Sequence, residues 1–310
     1  MAESERFLVT GAAGCIGAWV VAHLVREGTP VAAFDRSDDR RRLRLCLDDA
    51  RAAAVPWVTG DIADQAALEA AIARAGATAV IHLAALQIPF CKADPLNGAR
   101  VNVVGTVAVF EAVRKAGIRR FAYASSVAAL GPAGADHPPT LYGVYKRADE
   151  GIARVYWQDW NIPSVGLRPH TVYGPGRDQG LTSAPTKAMV AAVAGRPYTI
   201  PFAGSIAFQH VSEVAEVFVR AARVEGAGAP VHDLKGAIVK VSEVVDAIRA
   251  EVPDARIAIE GAPLPIGADF DDKALRGLVG DWRTVPLAEG VGQSVGAFRD
   301  LVKRGLVAPE

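Results

Sequence analysis

Gly11, Gly14 and Gly17 stand three residues apart, directly after the apolar run Phe7-Leu8-Val9 and at the head of an amphipathic segment. A strand that turns through glycines straight into a helix belongs to few folds. The turn needs an unusual φ, leaves backbone N–H groups bare at a helix N-terminus, and lets the helix pack close to the strand. Such a terminus is a ready seat for a pyrophosphate. The helix follows at once, with Ile16, Val20, Val21, Leu24 and Val25 recurring three and four apart, and Gly28 closes it.

Pro30 to Asp35 reads as a second strand that ends on a carboxylate. Asp35 lies roughly 20 residues beyond the turn, where a dinucleotide fold places the acid that binds the adenosine ribose hydroxyls. A carboxylate there repels a 2′-phosphate, so NAD is expected rather than NADP. Arg36 and the run Arg40-Arg41-Arg42 would suit a phosphate; we read the run as a solvated helix face.

With 51% apolar residues in 310, the chain can bury a sizeable core, in one large domain or two unequal ones. Lys+Arg and Asp+Glu number 34 each, so no basic excess points to nucleic acid. No apolar stretch reaches the ~20 residues that span a bilayer, which argues against a membrane partner. The acidic start from Met1 to Arg6 leads into the first strand and lacks the features of a signal peptide. Cys15, Cys46 and Cys91 show no metal-ligand spacing, and their odd number indicates free thiols in a reducing, cytoplasmic setting with no metal.

Strand and helix patterns alternate through the first half. A third strand spans Pro56 to Thr59, a helix runs from Asp64 (its N-cap) to Ala75, and a fourth strand covers Thr78 to Leu83. One long helix is expected from Pro95 to Ala116, a fifth strand from Arg120 to Ala124, a helix from Leu141 to Trp160 and a strand from Ser164 to Arg168. This rhythm predicts an α/β, doubly wound parallel sheet of Rossmann type. After Pro169 the rhythm loosens, and Gly, Pro and Thr become frequent. A helix is expected near Lys187 to Ala194, and a last one from about Leu287 to Lys303. The expected division is 1–169 with about 206–234 as the dinucleotide-binding domain, and about 170–205 with 235–310 as a smaller substrate-binding part.

Tyr142 and Lys146 stand four apart, which on a helix puts both on one face. An ammonium beside a phenol favours the phenolate, lowering a pKa that starts near ~10 and readying the phenol to move a proton. The pair follows a strand that ends in Ser125-Ser126, at the carboxyl edge where such sheets bind ligands.

With these residues the chain resembles an extended short-chain dehydrogenase/reductase of the NAD-dependent epimerase/dehydratase type, over nearly all of its length. The matching segments are Thr10-Gly11-x-x-Gly14-x-x-Gly17, Gly60-Asp61-Ile62, His82-Leu83-Ala84-Ala85 and Asn102-Val103-Val104-Gly105-Thr106. Ser125-Ser126, Tyr142-x-x-x-Lys146, and Leu167-Arg168-Pro169 leading into Val172-Tyr173-Gly174-Pro175 complete the set. The resemblance implies catalytic roles for Tyr142 as general acid/base, Lys146 on the nicotinamide ribose and Ser126 on the reacting oxygen. It implies cofactor contacts from Gly11, Gly14, Cys15, Ile16, Gly17, Asp35, Asp61, Ile62, Leu83, Ala84, Ala85, Asn102, Tyr142, Lys146 and Val172. It also implies pairing into a homodimer through the helices near 95–116 and 141–160, for which Val101, Val104, Ile152 and Val155 offer apolar surface.

Two departures narrow the chemistry. Val127 and Ala128 replace the acidic pair that dehydratases carry after the catalytic hydroxyl, and neither moves a proton. Gly204-Ser205-Ile206-Ala207 lacks the arginine that grips a nucleotide-sugar diphosphate, although Lys187 or Arg177 are possible substitutes. The short loop through Gly131-Pro132-Ala133-Gly134 also leaves little material to shape a large pocket. The leading expectation is therefore NAD-dependent hydride transfer to or from a small hydroxylated substrate: a free sugar, sugar acid or polyol. Gln87, Ser125, Ser126, His170, Arg177, Thr182, Ser183 and Gln209 are the candidate substrate contacts. The alternatives are an NAD-retaining sugar epimerase, with a nucleotide sugar among its possible substrates, and a non-catalytic protein that senses the cofactor.

Overall fold

Residues alternate cleanly along the first strand, β1 (Phe7–Thr10): Phe7 and Val9 join one apolar cluster and Leu8 another, so the strand is covered on both faces. The same alternation holds in β2 (Val31–Asp35), β4 (Ala79–His82) and β5 (Arg120–Ala124). The computed structural model describes residues 5–132, 137–226, 228–264 and 271–308. With β3 (Trp57–Thr59), β6 (Val165–Arg168) and β10 (Val231–Asp233), these strands make a seven-stranded sheet in the order β3-β2-β1-β4-β5-β6-β10. Every pairing in it is parallel. The order reverses between β1 and β4, the switch point at which such a sheet opens a ligand crevice.

Helices Cys15–Glu27 and Val211–Arg223 cover one face; Gln65–Ala75, Gly105–Lys115 and Leu141–Trp160 cover the other. Local chemistry sets their ends. Asp64 caps the 65–75 helix by accepting from Ala67 N at 3.1 Å, and Gly28, at φ 74°, ends the first helix.

The expected single helix from Pro95 to Ala116 is three pieces: α over Pro95–Ala99, a π turn over Arg100–Val104, and α over Gly105–Lys115. The extra residue of a π turn re-aims a side chain. Here Asn102, within that turn, accepts from Leu86 N at 2.7 Å and donates to Leu86 O at 3.0 Å.

A second sheet joins β7 (Thr171–Tyr173), β9 (Ser205–His210) and β11 (Ala237–Lys240), and β8 (Tyr198–Ile200) pairs with β12 (Ile257–Ile259). These strands, with helices Ala184–Val193, Val241–Glu251 and Leu287–Lys303, enclose a separate core around Met189, Phe202, Phe208 and Phe298. The chain crosses to this part at β7–β9, returns to the large sheet through the 211–223 helix and β10, then leaves it again. Among the described residues, no helix is long and apolar enough to cross a membrane, and no metal-ligand cluster occurs.

Candidate active site

Chain reversal after β1 is possible only with glycine. Gly11 holds φ 71°, and a Cβ there would lie 2.5 Å from Ala84 N. A Cβ on Gly17 would lie 2.1 Å from Gly11 O. The first helix therefore starts flush against the strand ends, with no side-chain cap and no acid in its first turn. Its leading N–H groups are available to an anion.

Asp35 ends β2 and turns back to the same place. Its Oδ2 accepts from Ala13 N at 2.9 Å and its Oδ1 from Arg36 N at 2.7 Å. Burial raises its pKa above the ordinary value, against these two bonds.

The arginine run behaves differently from a solvated face. Arg41 is exposed and pairs with Asp39, but Arg40 and Arg42 are largely covered. Arg40 donates to the carbonyls of Ala52, Ala53 and Val55. Arg42 donates to Ala13 O at 2.9 Å, Gly176 O at 3.1 Å and Asp178 Oδ1 at 2.7 Å. It ties the glycine turn to the 176–178 loop, and Trp19 Nε1 adds a bond to Pro175 O at 2.8 Å. Guanidinium groups committed in this way are not waiting for a 2′-phosphate.

The remaining expected cofactor residues gather along the same carboxyl edge. Asp61 follows β3, bonds Arg100 and Ala63 N, and is held below the usual carboxylate range chiefly by Arg100. Ile62 is buried where a Cβ on Gly105 would come within 2.8 Å of it. Leu83, Ala84 and Ala85 leave β4 half-buried, and Asn102 pins the following residue. Val172 is buried in β7.

Ser126 comes just after β5, and Lys146, on the helix that carries Tyr142, reaches back to the last residue of that strand. Gly143 allows this: a Cβ there would lie 2.4 Å from Ala128 O, so the 141–160 helix starts directly against the turn that follows Ser126. Thr140 caps that helix by accepting from Gly143 N at 3.1 Å. Lys146 is buried; its Nζ donates to Ala124 O at 2.7 Å and to Asp149 Oδ2 at 3.2 Å. Tyr142 lies one turn earlier on the same helix face, half-buried. Ser126 is half-buried and extended, and its Oγ accepts from Ala128 N at 3.2 Å, which leaves its own O–H to donate elsewhere.

The candidate substrate residues divide. Gln87, Arg177 and Thr182 come together: Arg177 donates to Thr182 Oγ1 at 2.8 Å and reaches Gln87 Oε1 at 3.5 Å. His170 is half-buried, and burial lowers its pKa to about 4. Three others are engaged internally. Ser125 donates to Glu150 at 2.5 Å, Ser183 to Gly180 O at 2.7 Å, and buried Gln209 is held between His170 N and Leu234 O. Residues 133–136 of the short loop before Tyr142 lie outside the described residues.

Two acids went unread in the sequence. Glu150 takes Arg168 Nε and a terminal guanidinium nitrogen at 2.7 Å each, a buried bidentate pair. Asp149 sits against Lys146. Its signal was present: an acid three residues after the lysine, on one helix face.

A family model described as the NAD dependent epimerase/dehydratase family matches residues 7–234. A UDP-glucose 4-epimerase of Mycolicibacterium smegmatis is 31% identical over 95% of this chain and 99% of its own length. The structure of a Thermus thermophilus UDP-glucose 4-epimerase in complex with NAD aligns at TM-score 0.77 and 25% identity, over 95% of this chain and 99% of that one. A partial-consensus L-threonine 3-dehydrogenase shares the fold at TM-score 0.80 and 22% identity, over 95% and 99% of the two chains.

Proposed function

The chain belongs to the NAD dependent epimerase/dehydratase family, an NAD-dependent enzyme of the extended short-chain type, and from that membership we propose that it is a nucleotide-sugar epimerase which keeps its NAD through the cycle. The observation that carries this reading is the end-to-end similarity to a UDP-glucose 4-epimerase. The glycine cradle, too tight for any Cβ, and the carboxylate of Asp35 fit a dinucleotide without a 2′-phosphate.

When bound, NAD supplies a reversible acceptor for hydride. Tyr142 would take the proton of the reacting hydroxyl, the half shared by oxidation and epimerisation, and in an epimerase would give it back on re-reduction. Lys146, fixed by Ala124 O, holds its charge beside the phenol. Ser126 gives a preorganised hydrogen bond to the oxygen on which charge develops. Val127 and Ala128 offer no second proton carrier, so loss of water is not supported.

One observation favours a dehydrogenase of a small hydroxylated substrate as a second reading. The stretch Gly204-Ser205-Ile206-Ala207, where the resemblance would place a diphosphate-binding arginine, holds no cation, and Ile206 and Ala207 are buried in β9. One experiment separates the two. Protein purified without added nucleotide is denatured and its NAD measured, and the native protein is incubated with UDP-hexoses and UDP-hexuronates. Near-stoichiometric NAD and epimer formation without net NADH are expected. Free sugars, sugar acids or polyols that reduce added NAD, with no epimer from any UDP-sugar, would establish the dehydrogenase instead.

We propose, further, that the chain is a homodimer through the 95–115 and 141–160 helices. Leu96, Val104, Val144 and Val155 are exposed on them, whereas Val101 and Ile152 turn inward against the sheet. Sedimentation at micromolar concentration should show a dimer, and Val104→Glu with Val155→Glu a monomer. A monomeric wild type would remove this assignment.

A further inference from the structure

Asp149 is a buried charge to which the proposed reaction gives no task. It is 0% exposed, and its Oδ2 lies 3.2 Å from Lys146 Nζ. Its Oδ1 is equally buried, with the Thr106 hydroxyl as the other side chain that favours its charged form. Its neighbour Glu150 shows what a structural carboxylate looks like here, with both oxygens engaged by Arg168 and Ser125. Asp149 instead confronts the one ammonium that the proton-transfer pair depends on.

We propose that Asp149 is a positioning residue that sets the acidity of Tyr142 through Lys146, its charge offsetting the ammonium field at the phenol. The inference rests on Tyr142 and Lys146 being the proton-transfer pair. An ammonium near a phenol favours the phenolate, and Lys146 is the cation one turn from Tyr142 on the same helix face. A carboxylate on the same nitrogen brings the pair near neutrality, so the phenol retains its proton to higher pH. An enzyme that oxidises and then re-reduces the same carbon benefits from this balance. Its proton carrier must give back what it takes, and a carrier too acidic would strand the cycle at the oxidised stage.

The surroundings isolate Asp149 as the group that responds near neutrality. Burial raises its pKa to about 6, with Lys146 and Thr106 favouring the charged form and Glu150 opposing it. From β4, His82 is held near 3 and stays neutral. Tyr123 of β5 and Cys91 of the 88–93 helix are pushed up by burial and also stay neutral. Arg168 of β6 is occupied by Glu150. Below about 6, Asp149 takes a proton and Lys146 acts on Tyr142 unopposed.

The test uses the protein as purified, labelled with ¹³Cζ-tyrosine, with the Tyr142 resonance assigned by its loss in Tyr142→Phe. Asp149→Asn keeps an acceptor for Lys146 and removes the charge. The Tyr142 titration is expected to move down by about one pH unit, and the acidic limb of kcat/KM to move with it. An unmoved phenol in folded Asp149→Asn overturns the proposal, because a purely structural role survives this substitution. If that variant does not fold, the wild type decides: a step in the Tyr142 resonance near pH 6 supports the proposal, and a flat response overturns it. The titration needs no substrate, so it stands apart from the choice between epimerase and dehydrogenase. A phenol that shifts while the activity profile stays still would place the proton transfer elsewhere and refute the inference.

Discussion

Tyr142→Phe should lower kcat by on the order of 10²- to 10⁴-fold, the range for losing a positioned proton carrier, while the NAD content of the purified protein stays unchanged. Phenylalanine keeps the ring in its half-buried place and removes only the hydroxyl. The residue sits in the first turn of a helix whose cap, Thr140 to Gly143 N, does not involve it. Lys146 is anchored independently by Ala124 O and Asp149, so the nicotinamide end of the crevice should keep its shape. The diagnostic pattern is a fall in kcat with Tm and bound NAD close to wild type, the signature of an interaction made in the transition state. A fall of less than tenfold would show that another group carries the proton. Biological effects intact in this variant would favour the cofactor-sensing reading over any enzyme.

The parts of this molecule that were legible in advance are those set by neighbours in the chain. Asp64 caps its helix through a contact three residues away, the last helix spans Leu287–Lys303 as its pattern indicates, and the positive φ of Gly11 is a property of its own backbone. The parts that were not legible depend on partners distant in sequence. Arg42 reads as surface until the fold brings Asp178, 136 residues on, within reach of its guanidinium. Ser125 and Gln209 looked like ligand contacts because they are polar and near the motifs. In the fold Ser125 satisfies a buried carboxylate, and Gln209 bridges two backbone groups. The π turn escaped for a related reason. The apolar pattern of 95–116 carries no mark of it, and the Asn102 amide inside the turn bonds both backbone groups of Leu86, 16 residues back in the chain. Long-range satisfaction of polar groups, rather than apolar patterning, is what the sequence withheld.

Acid should unfold this protein well before its surface carboxylates are protonated. His82 is fully buried, with Nδ1 2.7 Å from Thr10 Oγ1 and Nε2 3.2 Å from Thr106 Oγ1, so the neutral ring already has its partners. Burial first, and the charge of Lys146 second, lower its pKa to about 3. Burial likewise lowers His170 and His210 to about 4. In the unfolded chain all three titrate near 6.5, so between pH 6.5 and 4 the unfolded state binds more protons, and stability falls as pH falls. By pH 4 each site withdraws on the order of 3 kcal/mol. Asp149, raised to about 6, works the other way, as do Asp35, Glu213 and Asp233, which burial also raises, because protonation favours the folded state of each. The carboxylates that arginines hold low, Glu27, Asp39, Asp61 and Glu111 among them, add to the histidine loss as pH falls, because their ion pairs go when they are protonated. Tm measured from pH 7 to pH 4 should therefore be flat at first and then drop steeply below about 6. A Tm that holds level down to pH 4 would mean that these imidazoles gain their protons inside the folded protein. The Thr10–His82–Thr106 chain would then have to rearrange around a charged ring.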